Sequence, residues 1–291
     1  MHCKKPYLSL CALALALLAG CGTTSGHYVP PSGPDSAPPV ASDALSMPPE
    51  PIPTSTPEPT PTPEPAEPYQ FGTPLEESAA VEDDSFFDHT VFVGDSRTEG
   101  LQLFSGLKHG DFLWARGMTV FRTDSEDYCV FEAWGKKYTL LGALAREQYD
   151  NVYVMLGVNE LGYPADSYEE GLGTLMDKIL ELQPEAVVYL QVMPPLNDNL
   201  CRQNKLAAYI NNENLSAFNE AIVRVAAEKK VVLLNTAEVY TGPDEQLPAE
   251  LANDGCHFSY GAYKLWADYL RTHVMDRERY FALREQADTF S

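Results

Sequence analysis

The sequence predicts an α/β domain built on a parallel sheet, and three observations carry that prediction. Short apolar runs rich in Val, Leu and Tyr recur after residue 88, several of them meeting a turn abruptly. Between the later runs lie longer segments with the 3.6-residue spacing of amphipathic helices. The runs are mostly apolar throughout instead of alternating, as strands are when a sheet is covered on both faces.

Before that domain come two segments of different character. Residues 1–20 have the layout of an export signal: Lys4 and Lys5 at the start, an apolar run over 8–18, then small residues leading to Cys21. The run is too short to span a bilayer comfortably. Residues 21–84 follow, and 16 of the chain's 23 prolines fall within 30–74. Such a composition cannot bury enough apolar surface to offset its ordering entropy, which predicts an extended, disordered tether. At about 3.1 Å per residue in polyproline geometry, such a tether reaches on the order of 100 to 190 Å.

Residues 85–291 remain for one domain with a single core. Strands are predicted over 90–93, 111–115, 151–156, 186–192 and 231–234. Helices are predicted over 168–182, 215–230 and 260–275, and another is expected to open at Ser96. The net charge of -22 is spread over both parts of the chain, so the basic footprint needed for a nucleic-acid partner is missing. The same repulsion disfavours strongly anionic polymers as substrates. Export removes Cys3 and Cys11, leaving Cys129, Cys201 and Cys256 in the domain, where at most one disulfide can form and its pairing stays open. None of the six histidines forms a close pair and the cysteine spacing fits no zinc motif, so neither a metal nor a cofactor is expected.

Four short motifs fall along the domain: Gly94-Asp95-Ser96, Gly117, Gly157-Val158-Asn159 and Asp254-Gly255-Cys256-His257. Ser96, Gly117 and Asn159 each follow a predicted strand, at the edge where open α/β sheets place ligands. Ser96 is a candidate nucleophile at a helix N-terminus, and a free hydroxyl needs a base to act as one. His257 supplies an imidazole, and Asp254, three residues earlier, can curl back to its Nδ1 hydrogen. The Asn159 amide and the backbone N–H groups of Gly117 and Ser96 are candidate donors for an oxyanion. Each has an ordinary alternative: Ser96 a helix cap, Gly117 a turn glycine, the Asp254–His257 stretch a loop before the last helix. Their joint order is what points to acyl transfer.

In these motifs, and in their order, the chain resembles the SGNH (GDSL-type) hydrolases over roughly residues 88–275. The resemblance implies a flavodoxin-like three-layer α/β/α sandwich with a five-stranded parallel sheet, and a carboxylate at Asp254 that helps without being essential. Glu160 departs from the pattern, where aspartate commonly follows the asparagine. No Gly-x-Ser-x-Gly elbow occurs, which argues against the α/β-hydrolase fold. Cys256, between acid and base, is expected to be a small buried residue and not a nucleophile. Leu18-Ala19-Gly20-Cys21 resembles a bacterial lipoprotein box, which implies cleavage before Cys21, lipidation of that cysteine and an extracytoplasmic protein whose only membrane attachment is its lipid anchor.

The activity this implies is that of a surface-anchored serine esterase removing small acyl groups, O-acetyl first among them, from extracellular carbohydrate through an acyl-serine intermediate. Two alternatives stay open: an O-acyltransferase to a sugar hydroxyl, and a non-catalytic ligand-binding envelope lipoprotein. The Asn-rich stretch 196–214 is a candidate wall of the site. Trp114, Tyr128, Phe131 and Trp134 are core residues by default and a sugar-stacking surface as the alternative. Acyl length, alcohol portion and oligomeric state are left open.

Overall fold

A computed structural model describes residues 69–289 except 79 and 134, so the signal segment, Cys21 and residues up to 68 lie outside the described residues. In chain order the strands are β1 (Thr90–Gly94), β2 (Asp111–Trp114), β3 (Phe131–Ala133), β4 (Lys136–Tyr138), β5 (Asn151–Met155), β6 (Val187–Gln191) and β7 (Val232–Leu234). The α-helices are α1 (Ser96–Phe104), α2 (Leu140–Leu144), α3 (Ala165–Leu182), α4 (Asp198–Gln203), α5 (Asn212–Lys229), α6 (Tyr263–Thr272) and α7 (Arg277–Thr289).

Five strands form one sheet in the order β2-β1-β5-β6-β7, every pair parallel. This is the flavodoxin-like order that the resemblance implied. Every residue of β1, β5 and β6 is buried, as continuous apolar runs require. Register brings Phe112, Phe92, Tyr153 and Tyr189 side by side across four strands, with ring centroids 4.8, 5.2 and 4.2 Å apart. Cross-strand pairs of this kind fix register as well as stabilising the sheet.

From β1 the chain steps outward to β2, then returns past β1 to β5, β6 and β7. Right-handed crossovers in opposite directions put their helices on opposite faces, so α1 lies across the sheet from α3 and α5. α6 packs on α1, and α3 on α5. The reversal between β1 and β5 leaves a crevice at the strands' carboxyl ends. Among the described residues no helix is long and apolar enough to cross a membrane.

One boundary differs from the sequence expectation. The ordered structure begins well before residue 85: the Leu75 N–H donates to Leu233 O (2.8 Å), and the Leu233 N–H donates to Tyr69 Oη (2.9 Å). Ser78 and Val81 continue the contact onto the end of α6. Tyr69, Phe71 and Leu75 supply the apolar anchors, set between Pro68 and Pro74 at the end of the proline-rich segment. Near the other end, α7 packs Tyr280 edge-on against Phe71 at 6.2 Å, so the segments flanking the sheet meet beside β7. Neither α7 nor the β3–β4 hairpin was anticipated.

Candidate active site

The crevice is assembled from the loops that leave β1, β2 and β5 and from the loop that precedes α6. At the end of β1, Gly94 turns the chain where no side chain fits: a Cβ there would lie 2.0 Å from Thr98 Oγ1 and 2.7 Å from Met155 O. Asp95 then caps α1, its Oδ1 accepting the Arg97 N–H at 2.9 Å. Ser96 is the first residue of the helix, where the leading N–H groups lack partners within the helix and favour negative charge.

Ser96 Oγ lies 2.9 Å from His257 Nε2. On the far side of the ring, His257 Nδ1 lies 2.8 Å from Asp254 Oδ2. Asp254 Oδ1 accepts the backbone N–H groups of Cys256 (2.9 Å) and His257 (2.7 Å), so one carboxylate shapes the loop and orients the ring together. Burial alone would raise its pKa, but the bonds from His257 and the two backbone donors outweigh it and hold the carboxyl well below the usual range. Residues 161 apart in sequence thus form one hydrogen-bonded line from hydroxyl to carboxylate.

Gly117 sits in a turn closed by the Met118 N–H on Ala115 O at 3.1 Å. Its φ of +72° is the left-handed conformation that the third position of a type II turn demands. Tyr128 Oη donates to Gly117 O at 2.7 Å, fixing the peptide orientation from outside. Asn159 Nδ2 donates to Asp95 Oδ2 (2.9 Å) and to Met118 O (3.0 Å). Two acceptors on one side of the amide fix its nitrogen toward Asp95 and Met118. Asn159 therefore ties together the loops that carry Ser96 and Gly117.

Three contributors were not singled out from sequence. Asp95 is fully buried, and burial raises its carboxyl above the ordinary range despite the N–H it accepts. Arg97, 1% exposed, donates from Nε to Cys256 O at 3.1 Å and sits over the Phe258 ring at 5.3 Å, linking the serine's helix to the histidine's loop. Glu160 was noted only as a departure from pattern. It is fully buried, and its Oε1 accepts the Val120 N–H at 2.5 Å while Oε2 has no partner. Burial, reinforced by the nearby Asp95, pushes the Glu160 carboxyl up to about 8. A buried Arg beside Ser96 carries no periodic signal in the sequence.

Other sequence expectations are redirected. The stretch 196–214 lines no part of the cavity beside Ser96; two of its residues instead brace the loop that carries His257. The Asn197 N–H donates to Gly255 O (2.8 Å), and Asn204 Nδ2 donates to Asp254 O (3.2 Å). Trp114 bonds Gln102 and Tyr128 bonds Gly117, so both have structural work; Phe131 lies on the hairpin, and Trp134 is outside the described residues. Cys129, Cys201 and Cys256 are free thiols. Cys256 is buried, with burial pushing its thiol up. Among the described residues no group of three or more His, Cys, Asp or Glu is arranged to hold a metal ion.

Residues 92–265 match the profile of the GDSL-like Lipase/Acylhydrolase family, which is more than half of the chain. The chain belongs to the GDSL-like lipase/acylhydrolase family. Members of the GDSL-like family are hydrolases that act on ester bonds, and the match spans all four motifs. A candidate platelet activating factor from Streptococcus pneumoniae shares the fold at a TM-score of 0.50 and 21% identity, over 62% of this chain and 81% of that one. A GDSL-like lipase from Bacteroides thetaiotaomicron is similar at a TM-score of 0.47 and 15% identity, over 66% and 90% of the two chains. An acetyl xylan esterase is similar at 0.45 and 16%, over 62% and 96%. No curated protein is similar enough to match.

Proposed function

We propose that this GDSL-like hydrolase is a lipid-anchored serine esterase that removes small acyl groups, O-acetyl foremost, from carbohydrate outside the cell. The observation that carries the chemistry is the line Ser96 Oγ, His257 Nε2, His257 Nδ1, Asp254 Oδ2, with spacings of 2.9 and 2.8 Å across its two hydrogen bonds.

Ser96 Oγ attacks the ester carbonyl carbon while His257 Nε2 takes its proton. Asp254 stabilises the imidazolium and holds its tautomer. The oxyanion is received by the N–H groups of Ser96 and Gly117 and by Asn159 Nδ2, whose bond to Met118 O is shared or released as charge develops. Collapse breaks the carbon–alkoxy bond, and the alcohol leaves with the proton from His257. Water, deprotonated by the same imidazole, then attacks the acyl-serine and restores the free hydroxyl.

A cavity of about 370 Å³ opens beside Ser96, with Glu99, Arg116 and Asn253 in its lining. The rest of its wall is largely aromatic and aliphatic, from Leu103, Phe104, Phe258, Tyr260 and Tyr263, so those three side chains are the polar partners it offers a hydroxylated substrate. The signal layout ending at Cys21 and the Pro-rich segment after it support lipidation and a reach beyond the membrane.

A fluorophosphonate probe tests the reading. Wild type should be labelled and Ser96→Ala should not, and a nitrophenyl ester series should favour acetate over octanoate. A folded wild type that resists the probe would sink the esterase reading. Incorporation of labelled palmitate that disappears in Cys21→Ser checks the anchor.

A further inference from the structure

Beside the hydroxyl–imidazole pair lies an apolar shelf that the reaction chemistry itself does not use. Tyr260 is 73% exposed, Leu103 58% and Phe104 41%. The Phe104 and Tyr260 rings meet with centroids 4.5 Å apart at 39°, and Phe104 also meets Tyr263 at 5.8 Å. Tyr263, the inner ring of the three, is packed tightly, because α1 and α6 approach so closely at Gly100 that a Cβ there would lie 2.0 Å from it. Leu103, Phe104 and Tyr260 line the same cavity as Ser96 and His257.

We propose that this shelf is the subsite for the leaving alcohol, and that it takes a neutral pyranose ring stacked on Tyr260 and Phe104. The assignment rests on the esterase reading for its direction: His257 must protonate the departing oxygen, so the alcohol lies on the His257 side of Ser96, where the shelf is. The chemistry of the lining selects a sugar. Ring faces carry negative quadrupole density that attracts the partly positive axial C–H groups of a pyranose. In the same lining, Glu99 is paired with Arg116 by bonds of 2.5 and 2.6 Å, and Asn253 is present as well, so hydroxyl partners accompany the rings with the two charges matched to each other. A closed ion pair in an acidic protein favours a neutral ligand over an anionic one.

The test uses full-length Ser96→Ala, with methyl 6-O-acetyl-β-D-glucopyranoside and hexyl acetate as probes, followed by saturation-transfer NMR and titration. Expected are saturation concentrated on one face of the sugar ring, weaker sugar binding by about tenfold in Tyr260→Ala, and binding retained in Tyr260→Trp. Unchanged sugar affinity in Tyr260→Ala overturns the proposal. So does hexyl acetate binding as tightly as the sugar and losing as much, since the shelf would then be a general apolar wall. Because these readouts need no turnover, failure of the subsite is distinguishable from failure of the esterase reading, which shows as a folded wild type that the fluorophosphonate leaves unlabelled.

Discussion

Arg97 lies one residue after Ser96 and grips the carbonyl of Cys256, one residue before His257. It therefore sets the separation between hydroxyl and imidazole without touching either, and small misplacements of a reacting pair are costly. Arg97→Met is expected to lower kcat by about 100-fold, with KM much less affected; steady-state kinetics on nitrophenyl acetate checks it. Ser96→Ala or His257→Ala should cost about 10⁴-fold or more in kcat, and Asp254→Ala measurably less, in the same assay. Asn159→Ala should lower kcat by about 100- to 1,000-fold, the scale of losing one oxyanion donor.

Glu160 makes a pH prediction with a definite sign. Its folded pKa of about 8 lies above the ordinary carboxyl value of 4.5, so the folded state holds a proton that the unfolded chain gives up. Its stabilising contribution is complete below the unfolded value and is lost as pH rises toward and through about 8. Glu160→Gln keeps an acceptor for the Val120 N–H and removes the titration, so urea midpoints should match wild type near pH 5 and exceed it near pH 9. Asp254 has the opposite sense. Its depressed pKa stabilises the fold above the unfolded carboxyl value, a contribution lost only as pH falls through the folded one.

At the scale of elements, the loops carry the chemistry and the strands only aim them. Legibility divided along the same line. Continuous apolar strands and long amphipathic helices announce themselves by period, and β1, β2, β5, β6 and β7 lie where the sequence placed them. The β3–β4 hairpin has three residues per strand and α4 six residues, too few for either period to emerge. Ser96, His257 and Asp254 were legible because acyl transfer requires those residue types, and the structure brings all three together. The braces were not: Arg97, Asn197 and Asn204 act through backbone carbonyls, which sequence does not display. The strap at residues 69–83 was hidden in the same way, by prolines around a few apolar anchors. Since Leu75 is 7% exposed and bonded to the edge strand β7, Leu75→Ala should destabilise the domain by about 2–3 kcal/mol, read by urea titration.

For the whole molecule, the strap and α7 close what the parallel sheet leaves open. An edge strand offers unpaired backbone groups to any passing strand, and here β7 is covered by the strap while Tyr280 and Arg284 take Lys230 O beside it. Both covering segments, residues 69–83 and α7, lie outside the 92–265 family match.

The 161-residue interval between Ser96 and His257 has a temporal meaning. The hydroxyl is synthesised near the start of the domain and its activating ring near the end, so a half-made, stalled or clipped polypeptide carries an inert alcohol. Its activation therefore waits on the docking of the loop before α6, which brings the imidazole to the hydroxyl.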